Sequence, residues 1–190
     1  ESGLNISGHL NNIRTLSSQT AGKSLPQKLS RSHRFDVCGV CKVTKMIVTK
    51  TSIFPASRKL IFSKLLKLET LRYIAFPYAT FTPVDVNDSF KWNTGTKSSY
   101  LFKLFCFIPM GIHTIQIISF DEERGVVSHE GNKFVPIWNH EIFLEKLDDE
   151  HTKYTDRVTI KAGWKTFFVW LWANAFYRHR QNKWKKMLKK

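Results

Sequence analysis

The chain has 190 residues, 42% of them hydrophobic, and a formal net charge of +15 at pH 7. That length and apolar content suffice for one ordinary domain burying roughly two thirds of its unfolded surface, which excludes a wholly disordered chain. Three cysteines, Cys38, Cys41 and Cys106, cannot build a disulfide framework and point to a reducing, cytoplasmic setting.

Residues 1 to 45 are rich in Ser, Asn, Thr and basic residues, nearly free of acid, and carry neither a helical nor an alternating apolar period. They read as a tail, with a composition also found in transit-like leaders. A secretory signal is not expected, because the first residues lack its basic start and continuous apolar run. The CGVC pair at 38 to 41 would need a helix-opening position in a βαβ unit to act as a redox site, or two further ligands to hold zinc. Only His33 stands close, so ordinary thiols are the simpler reading.

Periodic sequence begins near Met46. MIVTKTSI, from 46 to 53, is β-branched and predicts a strand. Pro55 suits a helix start, and the apolar spacing from Leu60 to Leu68 predicts one or two short helices ended by Phe76-Pro77. Strands follow at about 77 to 84, over SYLFKLFCFI (99 to 108), over Ile112 to Phe120, and over VVSHE after the turn at 121 to 125. WNHEIFLEK (138 to 146) and TKYTDRVTIK (152 to 161) alternate on either side of a turn and predict a hairpin. No helix interrupts this series, so the sheet is expected to be antiparallel. Trp164 to about Leu188 contains neither proline nor glycine and predicts one long helix. Its apolar run, Thr166 to Tyr177, is roughly two thirds of the length a membrane span requires.

The stretches GIHTIQIISFDEE, WNHEIFLE, YTDRVTIKAGW and FYRHRQNKW resemble the second half of START-like proteins of the SRPBCC superfamily, which includes polyketide cyclase-like, Bet v 1-like and lipid-transfer members. The resemblance covers Met46 to Lys190 in element order, and its recognisable words lie beyond Gly111. It implies an α+β helix-grip fold: a curved antiparallel sheet wrapped around a long C-terminal helix, two short helices after the first strand, and a cavity between sheet and helix. Residues 1 to 45 have no counterpart in that pattern.

Strand alternation selects the residues facing inward. Trp138, His140, Ile142 and Leu144 share the more apolar face of one strand, and Tyr154, Asp156, Val158 and Ile160 that of the next. Each face therefore carries one polar group, His140 and Asp156, that needs a partner once buried. They could bond each other and fix the sheet, or mark the polar end of a ligand cavity. A catalytic reading makes His140 a general base oriented by Asp156, with Tyr154 as a further candidate; no nucleophile or oxyanion hole is evident to complete it. His113 shares a face with Ile115 and can also look inward. Trp164, Phe168, Leu171, Trp172 and Ala175 are expected on the helix side of the cavity. The histidines 113, 129 and 140 lack the spacing of a zinc site, so no metal is expected, and no cofactor motif is present.

No acid follows Asp156. Arg178, Arg180, Lys183, Lys185 and Lys186 are expected to form a basic surface, part of it complementing the helix dipole. Trp184 among them could rest at a lipid interface. The charge lacks any nucleic-acid reading element, so no specific nucleic acid is expected.

These features together predict binding of a hydrophobic or amphipathic small molecule (lipid, polyketide or aromatic) in an internal cavity, for carriage or sequestration. The alternatives are a polyketide cyclase or hydratase-type enzyme using His140 and Asp156, and a basic module contacting anionic membrane or RNA.

Overall fold

The computed structural model describes residues 45–85 and 92–189. Cys38, Cys41, His33 and the rest of the expected tail up to residue 44 lie outside the described residues.

Strand β1 (Met46–Phe54) is followed by two short helices, α1 (Arg58–Leu65) and α2 (Leu68–Ala75). Six strands come next: β2 (Ala79–Pro83), β3 (Lys97–Leu104), β4 (Ile108–Asp121), β5 (Gly125–Gly131), β6 (Ile137–Lys146) and β7 (Thr152–Lys161). Helix α3 (Thr166–Leu188) closes the described chain. The strands form one sheet in the order β1-β7-β6-β5-β4-β3-β2, antiparallel at every pairing. This is the helix-grip, START-like architecture that the resemblance implied.

Local chemistry explains the breaks between elements. The Ser57 hydroxyl accepts the Leu60 N–H and caps α1. The strand expected to run on to Ile108 stops at Leu104, because Phe105 and Cys106 take positive φ (50° and 71°) and turn the chain into β4. The long helix starts at Thr166 rather than Trp164: the Thr166 hydroxyl accepts the Ala162 N–H at 2.9 Å and donates to Gly163 O at 2.7 Å. Trp164 is thereby left in the β7–α3 connection. Register shifts at Leu101/Lys103 and Ile117/Ser119 supply the bulges that let a long antiparallel sheet curl.

Helix α3 has 23 residues, a length of about 35 Å, and packs against β1, β7 and α2. Its buried side is Thr166, Ala173, Phe176, Tyr177, Arg180, Gln181 and Trp184. One apolar cluster gathers Tyr100, Ile115, Trp138, Val158, Phe176 and Tyr177; a second gathers Phe54, Ile61, Ile142, Leu144, Tyr154 and Trp184. His140 of β6, Asp156 of β7 and Arg180 of α3 are buried beside these clusters. Among the described residues no helix is long and apolar enough to cross a membrane.

Candidate functional site: a cavity with one polar wall

A cavity of about 550 Å³ lies between the sheet and α3. Its lining is mostly apolar: Leu65, Ile74, Phe81, Phe102, Ile115, Val126, Trp138, Ile142, Trp172 and Phe176 are among the walls. The polar contributors are His113, Ser128, Glu130, Asn132, His140, Lys165, Tyr177 and Arg180. Trp164 and Phe168 also border it while remaining 76% and 63% exposed, so the opening lies at the start of α3.

The polar wall is a continuous chain of hydrogen bonds and ion pairs. Alternation turns Ser128 and Glu130 of β5 inward beside His140 of β6, and Ser128 stands opposite His140 in the register. The Asn132 amide approaches His113 Nδ1 at 3.4 Å, and His113 Nε2 lies 3.1 Å from Glu130 Oε2. The Ser128 hydroxyl donates to Glu130 Oε1 at 2.6 Å. His140 Nδ1 is 3.7 Å from Glu130 Oε1, and its Nε2 is 2.9 Å from Asp156 Oδ1. The Tyr154 hydroxyl donates to the same Asp156 oxygen at 3.1 Å. Arg180 Nη2 donates to the Tyr154 oxygen at 3.4 Å, and Arg180 Nε stands 3.6 Å from Asp156. Gln181 Nε2 donates to the other Asp156 oxygen at 3.2 Å and to Lys50 O at 2.7 Å.

Burial and charge compete at every member of this chain. Burial raises the Glu130 carboxyl, but hydrogen bonds from His113 and His140 outweigh it and hold the group well below the ordinary carboxylate range. Burial likewise raises Asp156; the Arg180 charge and the His140 and Gln181 hydrogen bonds bring it below its ordinary value. Burial lowers His140, and its bonds to Asp156 and Glu130 more than restore it, so the imidazole titrates above 6.5. Burial and the Asp156 charge push the Tyr154 phenol far up, while Tyr177, on the cavity wall, rises chiefly through burial. Two carboxylates thus face one guanidinium and one histidine whose protonated form they favour. A buried charge cluster of this kind is tolerable because its members neutralise each other.

Both ring nitrogens of His140 face a carboxylate, Nε2 in a hydrogen bond to Asp156 and Nδ1 in an ion-pair contact with Glu130. A general base needs a free nitrogen within reach of the substrate's proton. The Tyr154 hydroxyl and Asp156 lie behind the cavity wall rather than on it. The arrangement suits a rigid polar edge that orients a ligand.

Of the residues expected to face a ligand, His113, Ile115, Trp138, His140, Ile142, Trp164, Phe168 and Trp172 border the cavity. Tyr154, Asp156 and Val158 are buried but lie off the lining, and Leu171 and Ala175 are exposed and also lie off it. Arg180, expected on the basic surface, is instead only 5% exposed, because Asp156 requires its charge inside. Trp184, expected near a lipid interface, is 0% exposed against Phe54 and Tyr154. Arg178 and Lys186 are exposed as expected, Lys185 is half-buried, and Lys183 lies over the Tyr73 ring at 4.6 Å. Glu130, Ser128 and Asn132 were missed from the sequence, although the strand rule applied to VVSHE would have placed the first two beside His140. Among the described residues no group of three or more His, Cys, Asp or Glu side chains could hold a metal ion.

A family model described as a domain of unknown function, DUF8410, matches residues 52–188. The chain belongs to the DUF8410 family. No curated protein matches this DUF8410 chain in sequence. Its fold is shared by solved structures of low identity. An aromatase/cyclase, Zhui, from Streptomyces sp. R1128 superposes with a TM-score of 0.60 at 12% identity, covering 77% of this chain and 94% of that one. A START superfamily protein from Mycobacterium smegmatis gives 0.58 at 11% identity, covering 75% and 97%. A protein from Chromobacterium violaceum gives 0.60 at 9% identity, covering 76% and 97%. These likenesses establish that the DUF8410 domain has the START-like fold.

Proposed function

We propose that the protein binds a hydrophobic or amphipathic small molecule in the cavity between sheet and α3 and carries or sequesters it. The observation that supports this most strongly is the cavity itself. About 550 Å³ of mostly apolar space, edged on one side by fixed polar groups, has the size and composition of a site for a single small ligand. The polar wall would take the ligand's head: Asn132 and Lys165 border it as donors, and Trp172 carries a buried N–H without a hydrogen-bond partner. A ligand with an acceptor group at one end and an apolar body fits this distribution.

The fold likeness to an aromatase/cyclase keeps a cyclase or hydratase reading in view. The engagement of both His140 nitrogens favours carriage over it.

Titration with the amphipathic fluorophore 1-anilinonaphthalene-8-sulfonate tests the reading. Ile115→Trp, which fills the cavity from β4, should weaken binding by about tenfold or more. Ile53→Trp, the same change in kind on the outer face of β1, should leave it unchanged. Equal affinity in all three proteins would mean that the probe binds elsewhere and the cavity is not the site.

A further inference from the structure

The cavity opens through a surface that no part of the described chain covers. Trp164, Phe167, Phe168 and Leu171 are all more than half exposed at the β7–α3 connection and the first turns of α3. Phe168 and Leu171 are three positions apart on α3 and so share a side, and Trp164, in the connection that precedes the helix, borders the cavity mouth with Phe168. Phe134 of the β5–β6 connection adjoins them, since Lys165 Nζ lies 5.4 Å from its ring centre. The β3–β4 turn leaves the antiparallel meander at this same end and carries Phe107, 74% exposed. Single exposed apolar side chains are ordinary, but a contiguous aromatic set marks an interaction site.

The connections at the two ends of the sheet differ in their acids, although the end with the acidic turns also receives Lys183, Lys185 and Lys186 of α3, where Trp184 packs on Phe54 and Tyr154. The connections at the opposite end hold Asp121, Glu122 and Glu123, then Asp148, Asp149 and Glu150. The aromatic end holds Lys133, Lys161 and Lys165 and no exposed acid among the described residues; its nearest acid, Glu130, turns into the polar wall. β1 also begins at this end, with Met46 paired to Ile160. The residues preceding it, 1 to 44, contain Arg14, Lys23, Lys28, Arg31, Arg34 and Lys42 against Glu1 and Asp36. A basic segment is a poor electrostatic match for a basic surface, whereas both match an anionic partner.

From this juxtaposition of exposed aromatics, lysines and a cavity mouth, we infer that the Trp164–Leu171 surface docks on an anionic lipid bilayer. Trp164, Phe167 and Phe168 enter the interface, where aromatic side chains are favoured. Lys133, Lys161 and Lys165 face the headgroups. In that pose the cavity mouth opens onto the bilayer, so an apolar ligand passes between membrane and protein without crossing water. Docking itself rests on the surface alone; only this exchange route rests on the carrier reading.

Co-sedimentation of the full chain with vesicles of phosphatidylcholine, and of phosphatidylcholine mixed with phosphatidylserine, tests the inference. The wild type is expected to sediment with the mixed vesicles, more weakly in high salt. Neutralising Lys133, Lys161 and Lys165 to Gln should weaken this by roughly fivefold per lysine. Trp164→Ala with Phe168→Ala should abolish most of it, while Lys183→Gln with Lys185→Gln and Lys186→Gln, at the other end of α3, should leave it within about twofold. Brominated lipids should quench the wild-type tryptophan emission and quench Trp164→Phe less. No sedimentation of the wild type, or loss only in the triple variant at the α3 C-terminus, overturns the inference. So does a wild-type dimer that Trp164→Ala with Phe168→Ala converts to monomer, which assigns the surface to a second copy. Sulfonate-probe binding measured without vesicles reports on the cavity separately, so failure of docking and failure of ligand binding are distinguishable.

Discussion

Arg180 and Arg178 are two positions apart on α3 and have opposite fates. Arg178 projects to solvent, while Arg180 is held among Asp156, Tyr154 and the Tyr177 ring. Removing one partner from a buried charge pair leaves the other uncompensated, at a cost of about 3–5 kcal/mol. Arg180→Ala should therefore lower unfolding stability by about that amount in a urea titration, and Arg178→Ala should stay within about 0.5 kcal/mol of wild type. Equal small effects would show that Asp156 does not depend on Arg180. The same cluster sets a pH dependence. His140 titrates above 6.5 in the folded state, so its contribution is fully present below 6.5 and is lost as pH rises through the folded value. Asp156 and Glu130 are depressed below 3.8 and 4.5, so theirs is present above those values and is lost as pH falls through the folded ones. The cluster's contribution is thus greatest between about pH 4.5 and 6.5. Melting temperatures across pH should show wild type declining above that window more steeply than His140→Gln; parallel profiles would contradict the assignment of charge to His140. That His140 and Asp156 both face inward was legible from strand alternation alone, because period 2 leaves no freedom once one face is apolar; their bond to each other was one of two readings it left open. Their third and fourth partners, Glu130 and Arg180, were not legible, because a charged residue in a basic or polar stretch reads as solvent-facing until a buried opposite charge is known.

Helix α3 shows why its boundary and content were easier to read than its orientation. From Phe167 to Trp172 every residue is apolar, so hydrophobicity has no phase there. The sequence favours Phe168, Leu171, Trp172 and Ala175, whereas the buried stripe runs through Thr166, Ala173, Tyr177, Arg180 and Trp184, rotated by nearly half a turn. Polar residues decide the phase: Thr166 ties to Ala162 and Gly163, and Arg180 and Gln181 serve Asp156. The aromatics displaced by that rotation become the rim of the cavity mouth. In the strands, alternation placed β6 and β7 with the residues of the sequence reading facing inward, while the β3–β4 turn moved: β3 ends at Leu104 and β4 begins at Ile108, through two left-handed residues with ordinary side chains. The β4–β5 turn offers an element-scale prediction. Gly125 has φ +92°, and a Cβ there would lie 1.9 Å from Ile142 O on the neighbouring strand. Gly125→Ala should cost more than about 2 kcal/mol. Gly111→Ala shares a positive φ of +78° but meets open space, and should cost only about 1 kcal/mol. Chemical denaturation of the two variants checks the contrast; similar losses would mean that backbone conformation, not the approach of β6, dominates at Gly125.

Across the whole domain, the order of one strand, two helices, six strands and one helix decides the architecture. β1 and β2 are neighbours in sequence but occupy opposite edges of the sheet, and α1 and α2 span the gap. α3 then lies across the inner face and leaves a cavity instead of a filled core. That space was implied by the resemblance and not by any periodic pattern, since a residue that lines a void and one that packs a core have the same apolar signature. The charge of +15 carried little information until the fold placed it, with the acidic turns and the basic end of α3 at one end of the sheet, and at the aromatic mouth lysines with no exposed acid among the described residues. The carrier reading is tested most directly by native mass spectrometry of the protein isolated from its own cells, wild type beside Ile115→Trp. The account predicts that the wild type carries an added mass of one small apolar molecule, released by organic solvent, and that the cavity-filled variant lacks it. A wild-type mass equal to the bare chain, or an adduct retained equally by the filled variant, would contradict it.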